Sequence, residues 1–251
     1  MSTFNPIFYY NIQPRSVLNA SLLAAYKFEN NANDSYINAL NGTTGTSLTY
    51  SSANAVDGLA AQGIFVSTSK ITLPIAGNNF SFTDGTTDKP FSVKASIFAT
   101  QSTPNGVPAQ IVGKYRAVQN NNTSEWVFYL RPQTNSLSLL LLNKVSGIYI
   151  GAFTNAAISI NRKNNVIATY DGSGVWTGIK LYVNGTLATV SPLNSGTGYT
   201  SMGITTANAT IGGPFSGNAP FVGTIDELYI FNGALTQAQV TTLQTQYYPN
   251  F

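Results

Sequence analysis

The chain has 251 residues, 43% of them hydrophobic and only 8% charged, with a net charge of +3 and neither cysteine nor histidine. The missing residue types exclude disulfides, thiolate metal sites and a Ser-His-Asp catalytic arrangement, and leave oxygen-ligand cations such as Ca²⁺ as the metals to consider. Twelve Lys and Arg against nine acids are too dilute to track a phosphate backbone, and no apolar run is long enough for a membrane-spanning helix, so neither nucleic acid nor membrane insertion is expected.

The first residues, MSTFNPIFYYNIQPRS, lack the basic start and continuous apolar stretch of a secretory signal. The chain is therefore expected to be cytoplasmic when made, unless a leader has been removed. Phe4, Ile7, Phe8, Tyr9 and Tyr10 stand among Asn and Pro without alternation. Residues 1–20 read as an extension, either packed on its own domain or serving as a docking arm that inserts its aromatics into a partner. Residues 21–251 read as one domain.

From Leu22 onward, short β segments recur between turn signals. They are expected at Leu22–Phe28, Gly63–Ser67, Lys70–Leu73, Phe91–Thr100, Ala109–Tyr115, Glu125–Arg131 and Ser136–Leu142. Further segments follow at Ile148–Phe153, Asn165–Tyr170, Gly178–Val183, Thr186–Val190, Ala209–Ile211 and Val222–Phe231. Phe91, Val93, Ala95 and Ile97 share one strand face while Ser92, Lys94 and Ser96 share the other. Likewise Trp126, Phe128 and Leu130 oppose Glu125, Val127, Tyr129 and Arg131. Asn184-Gly185 predicts a tight type I′ hairpin. One helix is expected near the C-terminus, capped by Thr236 with Gln239, its apolar contacts being Ala238, Val240 and Leu243. Many strands, one short helix and no βαβ alternation predict an all-β, two-sheet antiparallel sandwich of the jelly-roll kind.

The order of these segments resembles the concanavalin A-like lectin and glucanase superfamily, and most of all its laminin-G-like, pentraxin-like branch. LLAAYKFENNANDSYIN is similar to the family's opening strand and Asp-Ser-x-Gly-Asn loop, with Ile37 where Gly is usual. FSVKASIFAT with AQIVGKY, NNVIATYDGSGVWTGIKLYVNGTLATV, and ATIGG with FVGTIDELYIFNGALTQAQVTTL resemble the family's middle strand pair, long hairpin and closing strand with helix. The family's Trp-His before the ATYDG strand is replaced by Asn164-Asn165. The resemblance, over about residues 21–245, implies two curved antiparallel sheets with a concave face often used for ligands.

Asp226 in TIDELYIF shares a strand face with Leu228 and Ile230 and is expected to point inward. A buried carboxylate needs partners. The resemblance implies a structural Ca²⁺ site here, completed by Glu29 or Asp34 and backbone carbonyls; the alternative is an Asp held by Lys27 or backbone N–H groups. The nine acids show no Glu-x-Asp-x-x-Glu spacing, so an enzyme is not expected. Trp176, in the Gly-rich tip DGSGVWTG, is a candidate for stacking on a sugar ring or plugging into a neighbouring subunit, or is folded onto its own sheet. Glu125, Tyr129 and Arg131 form a candidate concave polar site, or an ordinary solvated face.

Two functions are expected. One is a virion structural or attachment protein of a bacteriophage: a capsid-decoration, head-fibre or tail-fibre component docking on other virion proteins or on copies of itself, with host cell-surface glycan as a further candidate partner. The other is a carbohydrate-binding module or lectin of a secreted bacterial protein.

Overall fold

A computed structural model describes residues 21–56, 58–65, 69–75, 78–101, 108–115, 124–143, 147–194, 197–213 and 221–245. In chain order the first strands are β1 (Leu22–Tyr26), β2 (Thr43–Thr44), β3 (Thr49–Ser51), β4 (Ala60–Phe65) and β5 (Ile71–Thr72). The central ones are β6 (Phe91–Ala99), β7 (Ala109–Lys114), β8 (Trp126–Leu130), β9 (Ser136–Leu142), β10 (Tyr149–Ala157) and β11 (Lys163–Tyr170). A 3₁₀ turn at Trp176–Gly178 precedes β12 (Ile179–Val183), β13 (Thr186–Leu187), β14 (Val190–Asn194), β15 (Thr210–Ile211) and β16 (Phe221–Phe231), and helix α1 (Gln237–Thr245) follows. The expected arm, with Phe4, Ile7, Phe8, Tyr9 and Tyr10, lies outside the described residues.

The strands form two antiparallel sheets of eight, so the expected sandwich is the observed one. The first sheet runs β13-β12-β11-β6-β16-β4-β3 with β1 also on β16; the second runs β14-β10-β9-β8-β7-β15-β5-β2. The core between them takes the apolar faces predicted from alternation: Phe91, Val93, Ala95 and Ile97 from β6 meet Trp126, Phe128 and Leu130 from β8. Each such side chain, fully removed from water, contributes about 1.5–3 kcal/mol. Phe82 stacks on Phe91 at 4.2 Å between ring centroids, and Trp126 leans on both.

Asn184 and Gly185 take φ of 50° and 78°, the type I′ geometry that joins β12 to β13. The strand expected at Thr186–Val190 is instead divided. The chain leaves the first sheet after Leu187 and enters the edge of the second at Val190, where Pro192 occupies an edge position. The short β2 and β3 had no alternation by which to be recognised.

Helix α1 forms as its capping box predicts: Gln239 Oε1 accepts from Thr236 N at 2.8 Å, and Gln239 N donates to Thr236 Oγ1 at 3.3 Å. It lays Val240 and Leu243 over the outer face of the first sheet, against Leu22, Ile167, Tyr182, Tyr229 and Phe231. Ala238, expected among its contacts, is exposed; Leu235, just before the helix, is buried there instead.

β16 organises the first sheet. It pairs with β6 along one edge, while on the other its first half pairs with β4 and its second half with β1. A bulge falls at this handover, between Asp226 and Tyr229, with Glu227 at φ +49°. The extra residue exchanges the faces of the strand. Ile225 and then Leu228 and Ile230 face the core, whereas Asp226 faces the other side with Ser96, Lys94 and Tyr229. The expectation that Asp226 shares a face with Leu228 is corrected by this bulge.

Candidate ligand-binding face

The carboxylates of this sparsely charged chain act as loop anchors. Asp34 accepts from the amides of Ala25 and Tyr36 on Oδ1, and of Leu40 on Oδ2, at 2.9–3.0 Å. Asp226 accepts from Val56 N at 2.6 Å and from Glu227 N at 2.9 Å, while Glu29 accepts from Leu59 N at 3.0 Å. The calcium site was expected at Asp226 with Glu29 or Asp34 and backbone carbonyls; each of these carboxylates holds a backbone amide, and among the described residues no three acidic side chains gather into a metal-holding group. Lys94 lies close enough to Asp226 and Glu227 to feel both charges. Its Nζ donates to Ser96 Oγ and to the Glu227 carbonyl, both at 3.0 Å, and lies 4.9 Å from the centre of the Tyr229 ring.

Asp88 ties three loops together. Its carboxylate accepts from the hydroxyls of Tyr170 and Tyr199 and from Met202 N, at 2.7–2.9 Å. Burial nevertheless raises its pKa above the ordinary carboxylate value, outweighing these hydrogen bonds.

Glu125 is likewise internal, with no exposed surface. Its Oε1 accepts from Thr205 N, Thr205 Oγ1 and Ser81 Oγ and pairs with Lys114 Nζ at 2.8 Å. Its proposed place on an open polar face is corrected: it pins the strap at Thr205 and the loop at Ser81 to the start of β8. Trp176 is half-buried and packs against the core, with its 3₁₀ turn lying on β10 and β14, so it plugs the side of the sandwich. Its neighbour Val175 is 49% exposed.

The outer face of the second sheet differs from both. Strand register sets out three rows across it. One row is Tyr129, Ser138, Phe153 and Ser191. The next is Gly113, Val127, Leu140, Gly151 and Leu193, and the third brings Leu142 beside Tyr149. Val127, Tyr129 and Leu140 form a third apolar cluster, on this face, with half-buried Tyr115, Leu142, Tyr149 and Leu193 around it. The glycines keep its floor low. A Cβ on Gly151 would lie 2.6 Å from the Leu139 carbonyl, and one on Gly113 2.7 Å from that of Trp126. Arg131, half-buried at the end of β8, places its guanidinium carbon 3.9 Å from the centre of the Phe153 ring.

Tyr129 is only 4% exposed, so it is the floor of the cluster rather than the open platform expected of it. Burial pushes the Tyr129 and Tyr115 hydroxyls up to about 12, so both remain neutral donors and acceptors at ordinary pH. Of the expected trio, the structure keeps Tyr129 and Arg131 together and moves Glu125 away. Tyr115, Tyr149 and Phe153 were missed; pairing β7 with β8, β8 with β9 and β9 with β10 is the step that reveals them.

A family model described as the concanavalin A-like lectin/glucanases superfamily matches residues 76–241. The chain belongs to that superfamily. Solved structures share the fold at low identity. Domain 4 of the GH43 extracellular arabinanase from Geobacillus stearothermophilus, in complex with arabinotriose, is 22% identical with a TM-score of 0.62, over 89% of this chain and 98% of that domain. The binding domain of Paraclostridial Mosquitocidal Protein 1 is 14% identical with a TM-score of 0.64, over 92% of this chain and 53% of that one. A structure from work on cell entry of botulinum neurotoxin type C, dependent on interaction with two ganglioside molecules, is 16% identical with a TM-score of 0.63, over 92% and 52%. This superfamily member thus spans about half the length of those toxin chains. No curated protein sequence matches it.

Proposed function

We propose that the chain is a non-catalytic glycan-binding domain whose site is the tyrosine-bordered outer face of the second sheet. One observation carries this reading: a low floor of Gly113, Ser138 and Gly151 bordered by Tyr115, Tyr149 and the Arg131–Phe153 stack. A sugar ring presents apolar C–H faces and polar edges, and aromatic walls with nearby hydroxyls match both. The arabinotriose complex and the ganglioside-dependent toxin support a sugar as the ligand class. On the side of chemistry, Asp34, Asp88, Glu125 and Asp226 are each engaged in holding loops together, a structural use of carboxylates that supports the non-catalytic reading.

The same reading extends to attachment. A neutral, Asn- and Thr-rich shell with few charges suits a virion surface protein that docks on other virion proteins or on itself and touches host glycan. A secreted lectin with the same face is the alternative setting. Screening the protein on a glycan array tests the function: reproducible binding to a set of related glycans, reduced by Tyr149→Ala, is expected, and a blank array overturns it.

A further inference from the structure

We infer that Asn232 is a site of spontaneous modification in the folded protein: its side-chain amide is lost, and an aspartate or isoaspartate takes its place. The chemistry needs no enzyme. The backbone nitrogen of the next residue attacks the asparagine Cγ, a cyclic imide closes, and the side-chain nitrogen leaves as ammonia. Water then opens the imide at one carbonyl or the other, giving aspartate or isoaspartate. A glycine in the next position leaves the attacking nitrogen unhindered.

Three Asn-Gly pairs fall among the described residues, at 41–42, 184–185 and 232–233; a fourth, Asn105-Gly106, lies outside them. The fold treats the three differently. Asn41 Oδ1 accepts from Asp34 N at 3.0 Å, and Asn184 Oδ1 accepts from Asn165 N at 2.8 Å. Each of these carboxamides is held on a neighbouring segment and kept from turning onto its own following nitrogen. Their glycines are also structural. A Cβ on Gly42 would lie 2.6 Å from Ile71 Cγ2, and Gly185 has a φ of 78°. Asn232 is exposed at the bend after β16, and among the described residues no hydrogen bond holds its carboxamide. Gly233 has no left-handed φ, and among the described residues a Cβ there would meet only Ser21 Cβ, at 3.5 Å. Neither packing nor backbone conformation calls for glycine at 233.

The bend joins three elements. Asn232 N donates to Ser21 O at 2.7 Å, beside β1. Ser92 Oγ of β6 donates to Gly233 O at 2.7 Å and accepts from Leu235 N at 2.9 Å, just ahead of α1. Isoaspartate lengthens the backbone by a carbon inside this corner, and either product adds a negative charge to a chain of net charge +3.

The test ages the whole chain in mildly alkaline buffer at body temperature, then digests it and maps the asparagines by mass spectrometry. Conversion at Asn232 is expected to run about ten-fold or more ahead of Asn41 and Asn184, because a carboxamide held off line loses its attack geometry. In denaturant the three rates are expected to converge. Gly233→Ala is expected to slow conversion several-fold, at a melting temperature no lower than that of the wild type. An Asn232 that stays intact in the folded protein, or converts no faster than Asn41 and Asn184, overturns the inference. So does a lead that persists unchanged in denaturant, since the local sequence and not the fold would then set it.

Discussion

Lys114 Nζ lies 2.8 Å from Glu125 Oε1, and the two side chains are 3% and 0% exposed. The pair closes the β7–β8 end of the second sheet and, through Thr205 and Ser81, holds two loops that are distant in sequence. Removing one partner leaves a buried charge unmatched, which costs about 3–5 kcal/mol. Glu125→Ala is expected to lower the melting temperature by roughly 6–20 °C in thermal denaturation. Replacing both partners, with Lys114→Met and Glu125→Leu, is expected to restore a large part of that loss. A single variant that melts like the wild type would contradict the pairing.

Lys94 gives the fold a signature in pH. Burial lowers its pKa to about 8, against the opposing pull of Glu227 and Asp226. The unfolded chain keeps that proton up to about 10.5, so between these values the unfolded state binds more protons. Stability attributable to Lys94 therefore rises as pH increases from about 8 towards 10 and is level below that window. Denaturant titrations of wild type and Lys94→Met across that range are expected to diverge with increasing pH in favour of the wild type. Parallel curves would contradict a buried, charged Lys94.

The Asp34 carboxylate receives three backbone amides, and no cation is needed to satisfy it. Asp34→Asn turns one acceptor oxygen into a donor group that faces an amide, at a cost of about 1–3 kcal/mol. A melting temperature lower by a few degrees is expected for this variant, and no measurable change for the wild type in EDTA. A clear loss of stability in EDTA would put a structural metal back into the fold.

Trp176 lies half-buried against the core. Trp176→Ala is therefore expected to lower stability by about 1–3 kcal/mol while leaving sugar affinity within two-fold or so of wild type. Loss of sugar binding at unchanged stability would move the site to the Gly-rich tip.

The strands were legible where alternation is strong. Phe91 to Ile97 and Trp126 to Leu130 face the core as their spacing predicts, because a two-residue period and one buried face over-determine each other. Asp226 was not legible, since a bulge shifts the period by one residue and nothing in TIDELYIF announces Glu227 at positive φ. The site was half legible. Tyr129 and Arg131 lie on one strand and were found together, but Tyr149 and Phe153 arrive from β10, and only the register brings them alongside. Glu125 looked like a surface acid because alternation indicates a face and not what covers it; Lys114 and Thr205 cover it from other parts of the chain.

The central claim is that the bordered face of the second sheet binds sugar. Calorimetric titration of the protein with arabinotriose and 3′-sialyllactose, alongside Tyr149→Ala, tests it most directly. The account predicts saturable binding to at least one of them, weakened about ten-fold or more in the variant at an unchanged melting temperature. No saturable heat with either sugar, or binding that Tyr149→Ala leaves intact, would contradict it.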